Sequence, residues 1–266
     1  MMSRNRQHKA TVFRPVIGVV PMAGRAARLA GLPCSKEILP IGPLAAAGQQ
    51  PRVVCEHLLG KMHRAGVSNI YVILREGKWD IPAYLGDGSK AGVQLAYLMM
   101  GLPYGTPYSI DQSFPFVRKA TGALGFPDMI FGPEDIFTPL IQYQQSSSAD
   151  VVLGLFPTDR PEKVDMVKLD NDGHVTQIII KPRHSDLHDT WGVAVWTPAF
   201  TEFMHRFLAL HQKTAAGKNE LFVGDVILAA MENGLRVHGI RVSEQPFLDI
   251  GTRDDLSRAT NLQPDK

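Results

Sequence analysis

The feature that most constrains the fold is a repeated order of apolar runs and helical spacing in the first half of the chain. A continuous apolar run at residues 16–22 is typical of a strand buried on both faces. Helical spacing follows at residues 52–66, and a second apolar run covers residues 69–75. Strand, helix and strand in repeated order predict an α/β fold with a mostly parallel sheet and helices on both faces.

Further elements of the same kind follow in this half of the chain. Short apolar runs predict strands at residues 93–98, 128–132 and 150–156, with a helix at 133–147 that begins at a proline. Residues 103–116 are rich in turn-forming residues, and we interpret them as a functional loop or a poorly formed helix start.

The second half of the chain has a different pattern. The tripeptide "NDG" at residues 171–173 separates two apolar stretches and predicts a β-hairpin within residues 164–182. After it, the pattern predicts a strand at 191–198, helices at 199–212 and 225–234, a strand at 235–243 and a final helix. We predict a flexible basic N-terminus over residues 1–14 and a single domain over residues 15–266.

The composition excludes several classes of protein. A formal net charge of +2 is too small to indicate a nucleic-acid or membrane partner. The sequence contains no apolar run of the length that a membrane-spanning helix needs, about 18 residues. Its two cysteines, Cys34 and Cys55, form no C-x-x-C pair, so neither a disulfide framework nor a zinc site is expected. A cytoplasmic location fits this cysteine usage.

Positive charge collects in the stretch "PMAGRAARLAGLPCSKEILPIG" at residues 21–42, directly after the first predicted strand. It carries Arg25, Arg28 and Lys36, with Glu37 as its one carboxylate. Ligands of open α/β sheets lie beyond the carboxyl ends of the strands, so the stretch predicts an anion site. Neither the dinucleotide fingerprint G-x-G-x-x-G nor the Walker A pattern fits the spacing. A phosphate-binding loop built from backbone N–H groups and the side chains of Arg and Lys is still compatible with the sequence.

This stretch resembles the signature of the sugar-1-phosphate nucleotidyltransferases, the group of glucose-1-phosphate thymidylyltransferases and uridylyltransferases. That signature is A-G-x-G-T-R-L, a short spacer, then P-K and L-P-I. The matching residues here are Ala23, Gly24, Arg28, Leu29, Lys36, Leu39, Pro40 and Ile41. Further landmarks follow in the family's order: "YGTPYSI", "FPDMIF", "IIIKP", "WGVAVWTP", "ELFVGDVI" and "PFLDIGTRDDLSRA". The resemblance implies a Rossmann-like nucleotidyltransferase fold of the GT-A type.

The resemblance also implies a reaction. In this family a sugar-1-phosphate oxygen attacks the α-phosphorus of a nucleoside triphosphate and pyrophosphate leaves, which requires positioning and neutralisation of charge. By resemblance, Arg28 holds the leaving pyrophosphate and Lys36 stabilises the charge that builds at the α-phosphate. Asp128 and Asp249 are the implied ligands of one Mg²⁺ ion.

The other implied residues divide between two substrates, a nucleoside triphosphate and a sugar-1-phosphate. The nucleotide-binding half is expected over about residues 15–157 and the sugar-binding half over about 158–266. On the nucleotide side the resemblance implies Ala23, Gly24, Arg25, Gly105 and Thr106. On the sugar side it implies Lys181 and Gly192. A homo-oligomer is common in the family, and neither a nucleic acid nor a membrane is an expected partner.

Four residues depart from the family pattern. Ala26 and Ala27 replace the G-T before the arginine, Met100 replaces a base-reading glutamine, and Ile180 replaces the glutamate of E-K-P. These departures leave two alternative functions open. One is a nucleotide- or sugar-phosphate-binding regulatory protein with weak or no catalysis. The other is a nucleotidyltransferase that acts on a non-sugar alcohol phosphate.

Each candidate site residue also has a purely structural interpretation. Arg25 and Arg28 can form a solvated pair, and Lys181 can end a strand in solvent. Asp128 can cap a turn, and Asp249 can cap the last helix.

Overall fold

A nine-stranded sheet forms the centre of the structure, a computed structural model that describes residues 14–24, 29, 31–41, 52–101, 105–212 and 220–260. The strands are β1 (Val16–Pro21), β2 (Asn69–Arg75), β3 (Gln94–Met100), β4 (Thr121–Gly125), β5 (Met129–Ile130), β6 (Val151–Pro157), β7 (Met166–Leu169), β8 (Val175–Ile179), β9 (Asp189–Trp196), β10 (Val237–Arg241) and β11 (Leu248–Asp249). The helices are α1 (Val54–Arg64), α2 (Asp80–Leu85), α3 (Thr106–Asp111), α4 (Phe114–Val117), α5 (Phe137–Ser146), α6 (Pro198–Gln212), α7 (Val223–Glu232) and α8 (Arg253–Thr260).

The strand order confirms the predicted mixed, mostly parallel sheet. The main path runs β10-β6-β9-β4-β1-β2-β3, and on this path β9 alone runs antiparallel to its two neighbours. The hairpin predicted around "NDG" is also confirmed, since β7 and β8 pair antiparallel and β7 extends the sheet from β9. A separate two-stranded ladder joins β11 to β5.

Helices cover both faces of the sheet, as the repeated strand and helix order predicts. Leu58 of α1, Ile81 of α2 and Leu140 of α5 belong to one buried cluster. A second cluster contains buried residues of α3, α6 and α7. A third, smaller cluster joins Leu39 to Ile250 near the C-terminal helix α8. None of the helices in the described part of the chain is long and apolar enough to cross a membrane.

The helix predicted at residues 133–147 begins later than expected, at Phe137. In the segment before it, the buried Lys61 of α1 donates from Nζ to the Pro133 carbonyl at 3.3 Å and to the Glu134 carboxylate at 2.7 Å. These contacts hold residues 133–134 against α1. The turn-rich stretch within residues 103–116 contains two short helices, α3 and α4.

Strand β4 is the main element that the sequence pattern does not reveal. Its sequence "TGALG" contains residues that are uncommon in strands, yet all five positions are buried. A β-carbon at Gly122 would overlap the Trp196 ring, and one at Gly125 would overlap Leu58. The two glycines therefore leave room for large side chains that pack on the two faces of the sheet. Helix α2, only six residues long, was also not predicted.

A buried ion pair fixes the single helical turn Lys36–Ile38. Lys78 Nζ lies 2.6 Å from Glu37 Oε1, and the side chains are only 5% and 2% exposed. Burial raises the pKa of Glu37, and the Lys78 ammonium opposes that rise. Beside this pair, the backbone N–H and hydroxyl of Ser35 donate to the Asp80 carboxylate at 2.6 and 2.8 Å. The segment around α2 thus holds the turn through two polar contacts.

The packing around β4 predicts the effect of adding one methyl group. Gly122→Ala and Gly125→Ala should each lower the free energy of unfolding by about 1–3 kcal/mol, because Trp196 or Leu58 must move. Urea unfolding followed by circular dichroism measures the change as a lower midpoint at an unchanged slope. Gly60→Ala in α1 is the matched control, since its close neighbour is the flexible end of Arg52. Unchanged midpoints for both β4 variants would contradict this account.

The buried pair predicts a second effect. Lys78→Met should destabilise the protein by about 3–5 kcal/mol, because it leaves the Glu37 carboxylate buried without its counter-charge. The double variant with Glu37→Leu should recover much of this loss. Arg64→Ala, which removes an exposed pair with Glu134, is the control and should cost at most about 1 kcal/mol. Equal midpoints for Lys78→Met and Arg64→Ala would show that the buried pair has no special role.

Candidate active site

The positively charged stretch begins where β1 ends, at an edge of the sheet. The Met22 N–H donates to the Ile73 carbonyl at 2.8 Å, which continues the pairing with β2 past the last strand residue. Ala23 is buried, whereas Gly24 is exposed and nothing lies near the position of an added β-carbon. Arg25 and Arg28 lie outside the described residues, as do Ala26 and Ala27.

Lys36 lies at the centre of the described part of the site. Its Nζ is 2.5 Å from Asp128 Oδ2 and donates a hydrogen bond to the Ile250 carbonyl at 3.3 Å. Burial alone would lower the pKa of Lys36, but the carboxylates of Asp128 and Asp249 raise it by more. The ammonium therefore stays charged at neutral pH although its side chain is only 12% exposed.

The ladder between β5 and β11 brings Asp128 and Asp249 to the same place. Asp249 pairs with Met129 in this ladder, and the Ile250 N–H donates to the Asp128 carbonyl at 2.9 Å. The two aspartates are far apart in sequence but both act on the charge of Lys36. The structure thus places two predicted metal ligands and one predicted catalytic residue together.

Asp128 and Asp249 both present a carboxylate that acts on Lys36, and carboxylate oxygens are the ligands that a hard cation such as Mg²⁺ prefers, so the chemistry of these residues fits the ion. A different cluster, Asp170, Asp172 and His174, lies at the turn between β7 and β8, where all three residues are exposed. Asp170 Oδ1 accepts the backbone N–H groups of Asp172 and His174 at 2.9 and 2.8 Å. This carboxylate closes the hairpin turn, and we assign no metal to it.

Gly105 and Thr106, which we predict to contact the nucleotide, lie at the start of α3. Gly105 has a φ of +127°, and a β-carbon there would overlap the Leu221 carbonyl, so glycine is required by conformation and by space. Met100 is buried and accepts a hydrogen bond from the Ser109 hydroxyl at Sδ, 3.0 Å away. Met100 therefore packs in the core between β3 and α3.

Lys181, which we predict to contact the sugar phosphate, follows β8 and is exposed. Among the residues that the structure describes, Lys181 is the non-glycine residue whose φ is positive, at +40°. This conformation is uncommon for a residue with a β-carbon and usually marks a constrained position. Lys181 Nζ lies 3.5 Å from the centre of the Phe222 ring. Gly192 in β9 is buried, and a β-carbon there would lie 2.8 Å from Met129 Cε. Gly192 thus packs directly against β5, next to Asp128.

Asp165 is the most prominent polar residue that the sequence analysis did not single out. Its Oδ1 is buried without a hydrogen-bond partner among the described residues. Burial raises its pKa to about 6, although Lys181 and a hydrogen bond with the Trp191 side chain oppose the rise. A lone aspartate before a short strand carries no motif, so only its surroundings distinguish it.

Comparisons with known proteins identify relatives of this chain. The chain is 26% identical over 247 residues to the low-salt glycan biosynthesis nucleotidyltransferase Agl11 of Haloferax volcanii, covering 92% of this chain and 65% of that protein. It is 25% identical over 195 residues to a glucose-1-phosphate thymidylyltransferase of Streptomyces antibioticus, covering 72% of this chain and 52% of that protein. The chain therefore spans less than two-thirds of the length of each of these relatives.

A solved structure shows the same fold. It is a Bacillus anthracis protein named "Putative Glucose-1-Phosphate Thymidylyltransferase", crystallised with a sucrose, which superimposes with a TM-score of 0.76 at 18% identity. The superposition covers 94% of this chain and 98% of that one. A model of the family described as nucleotidyl transferase matches residues 18–266. This chain therefore belongs to the nucleotidyl transferase family.

Proposed function

We propose that this chain transfers a nucleotidyl group from a nucleoside triphosphate to a sugar-1-phosphate and releases pyrophosphate. The observation that carries the proposal is the charged Lys36, which contacts Asp128 and whose charge the Asp249 carboxylate also stabilises, at the end of the sheet where ligands of this fold class bind. The names of the relatives support it, since several of them are glucose-1-phosphate thymidylyltransferases.

In the proposed reaction, a phosphate oxygen of the sugar-1-phosphate attacks the α-phosphorus of the triphosphate, and the bond to pyrophosphate breaks. Lys36 moves from Asp128 to the α-phosphate and stabilises the negative charge that builds there. The hydrogen bond from Lys36 Nζ to the Ile250 carbonyl keeps the ammonium close to Asp128. Arg28, which precedes Lys36 in the same stretch, holds the leaving pyrophosphate.

Mg²⁺ is part of the proposal. Asp128 and Asp249 would hold the ion, which would neutralise part of the polyphosphate charge. The same two carboxylates keep Lys36 protonated, which is the state that an electrostatic role requires. In the nucleotide half, about residues 15–157, backbone groups of Ala23, Gly24 and Gly105, together with Arg25 and Thr106, contact the nucleotide.

The sugar-1-phosphate lies in the proposed second half, about residues 158–266. Lys181 contacts its phosphate, and the backbone of Gly192 contacts the sugar, a role that rests on the resemblance of "WGVAVWTP" to the family's sugar-binding segment. We further propose a cytoplasmic location, which the free thiols of Cys34 and Cys55 favour.

A substrate panel tests the function directly. Purified protein is incubated with each common NTP or dTTP, Mg²⁺ and each of several sugar-1-phosphates, and pyrophosphate release is measured. Release with at least one pair supports the proposal. Release only with a polyol or amino-alcohol phosphate would favour the non-sugar substrate. Calorimetric nucleotide binding without any release would favour a regulatory binding protein, and would contradict transfer.

Replacing Lys36 tests its electrostatic role. Lys36→Ala should lower kcat by about 10²–10³-fold with the productive substrate pair, because a positioned charge at the reacting phosphate is lost. Steady-state pyrophosphate release at saturating substrate measures this. Lys168→Ala, on the exposed side of β7, is the matched control and should leave kcat unchanged. A Lys36→Ala enzyme with wild-type kcat would contradict the assigned role.

Replacing the carboxylates tests the metal site. Asp249→Asn should raise the Mg²⁺ concentration needed for half-maximal activity by about tenfold or more, since a charged ligand becomes neutral. A Mg²⁺ titration of activity measures the shift, and chelation with EDTA should abolish turnover of the wild type. Asp254→Asn at an exposed position of α8 is the control. An unchanged Mg²⁺ requirement in Asp249→Asn would exclude it as a ligand.

A further inference from the structure

The Asp165 carboxylate has a buried oxygen whose hydrogen-bonding capacity the described residues do not satisfy. Its Oδ1 is buried and has no partner among the described residues, although most buried polar atoms in proteins are hydrogen-bonded. Burial also raises its pKa to about 6, so the position is unfavourable for an ionised group. Glu37 Oε2 is also buried without a partner, but Glu37 pairs with the buried Lys78. Asp165 differs because its neighbouring cation, Lys181, is exposed, so a group from outside the chain can complete its hydrogen bonding.

The surroundings hold this carboxylate in place from several elements. The Trp191 side chain of β9 hydrogen-bonds to the carboxylate, and the Thr190 hydroxyl donates to the Asp165 carbonyl at 2.8 Å. Gly224 of α7 comes so close that a β-carbon there would overlap Asp165 Oδ2. Asp165 is therefore fixed by packing on one side, while Oδ1 remains unpaired.

The charges around Asp165 come from two further elements. Lys181, after β8, stabilises the ionised carboxylate, and Asp225 of α7 repels it. Ile180 lies close by, since the same β-carbon built at Gly224 would be 2.6 Å from Ile180 Cδ1. Ile180 has no polar side-chain atom. Of the two carboxylates in this region, Asp225 Oδ2 accepts the Phe222 N–H at 2.8 Å, whereas Asp165 Oδ1 has no partner among the described residues.

Trp191 connects Asp165 to the rest of the site. Its ring lies 5.8 Å from the ring of Phe126, which directly precedes the Pro127–Asp128 segment. The next residue, Gly192, packs against Met129, the neighbour of Asp128. Trp191 and Gly192 therefore connect the surroundings of Asp165 to the segment that carries Asp128.

We propose that Asp165 is a specificity-determining residue, whose unpaired Oδ1 accepts a hydrogen bond from a hydroxyl group of the phosphorylated substrate. The inference rests on the proposed function, because it takes the substrate to be a hydroxyl-bearing phosphate ester with its phosphate near Lys181. Trp191 and Ile180 supply apolar contacts beside the acceptor, which suits the carbon skeleton of a sugar. Substrates without a hydroxyl in reach leave the buried oxygen unpaired and bind weakly.

The experiment measures binding, so that it does not depend on turnover. The dissociation constants of glucose-1-phosphate, its four monodeoxy analogues and other hexose-1-phosphates are measured by calorimetry with wild type and Asp165→Asn. Asparagine keeps the shape and removes the negative charge, and it replaces one of the two acceptor oxygens with an NH₂ donor. The expected result is binding weakened by about 10- to 100-fold for the preferred sugar phosphate. Asp159→Asn, at an exposed position before β7, is the matched control and should bind as the wild type does.

The pattern across the deoxy analogues separates a direct contact from a structural effect. Loss of one particular hydroxyl should weaken binding to the wild type about tenfold or more and cost the Asp165→Asn protein little. An equal loss for every analogue in both proteins overturns the inference, and so does wild-type binding to none of the sugar phosphates. Asp165→Ala, tested in the same way, covers the case in which Asp165→Asn does not fold.

The same measurements distinguish this inference from the proposed function. If the wild type binds sugar phosphates but releases no pyrophosphate with any nucleotide, nucleotidyl transfer is wrong. The role of Asp165 is then still decided by the binding pattern of the deoxy analogues.

Discussion

The space around β4 is the constraint on which the structure depends. Gly122 and Gly125 face opposite sides of the sheet, and Trp196 and Leu58 occupy the volume that larger residues would need. These two large side chains belong to the two main buried clusters, one on each face. Strand β4 also separates the parallel strands from antiparallel β9, so the two halves of the sheet meet there. Trp196 and Leu58 can pack this close to the sheet only because β4 has glycine at positions 122 and 125.

The site follows from what comes after β4. The chain leaves this strand, passes Asp128 and forms the short ladder with β11, which places Asp249 beside the same ammonium of Lys36. Beneath Lys36, the buried pair of Glu37 and Lys78 holds the turn in one position. Electrostatic stabilisation of a reacting phosphate requires a fixed charge, and each of these contacts reduces the freedom of Lys36.

The second half of the chain has a different chemical character. Its hairpin and β9 carry Lys181, Trp191 and Gly192 to one region, and α7 closes it from the side with Gly224. Asp165 gives this region an acceptor with an unpaired oxygen beside the apolar Ile180. A positive charge for phosphate and a buried acceptor for a hydroxyl are complementary to the two ends of one small polar substrate.

The sequence by itself determined the α/β class, the hairpin at "NDG", the charged stretch after β1 and the choice of Lys36, Asp128 and Asp249 as candidates. Periodicity, turn residues and motifs are properties of short sequence segments, so they can be recognised from the sequence alone. Only the tertiary structure decided that β4 is a central strand, because its glycines are selected by Trp196 and Leu58 and not by local propensity. It alone brought Asp128 and Asp249 to Lys36 and left Asp165 with an unpaired oxygen, since pairing and burial between distant residues depend on long-range packing.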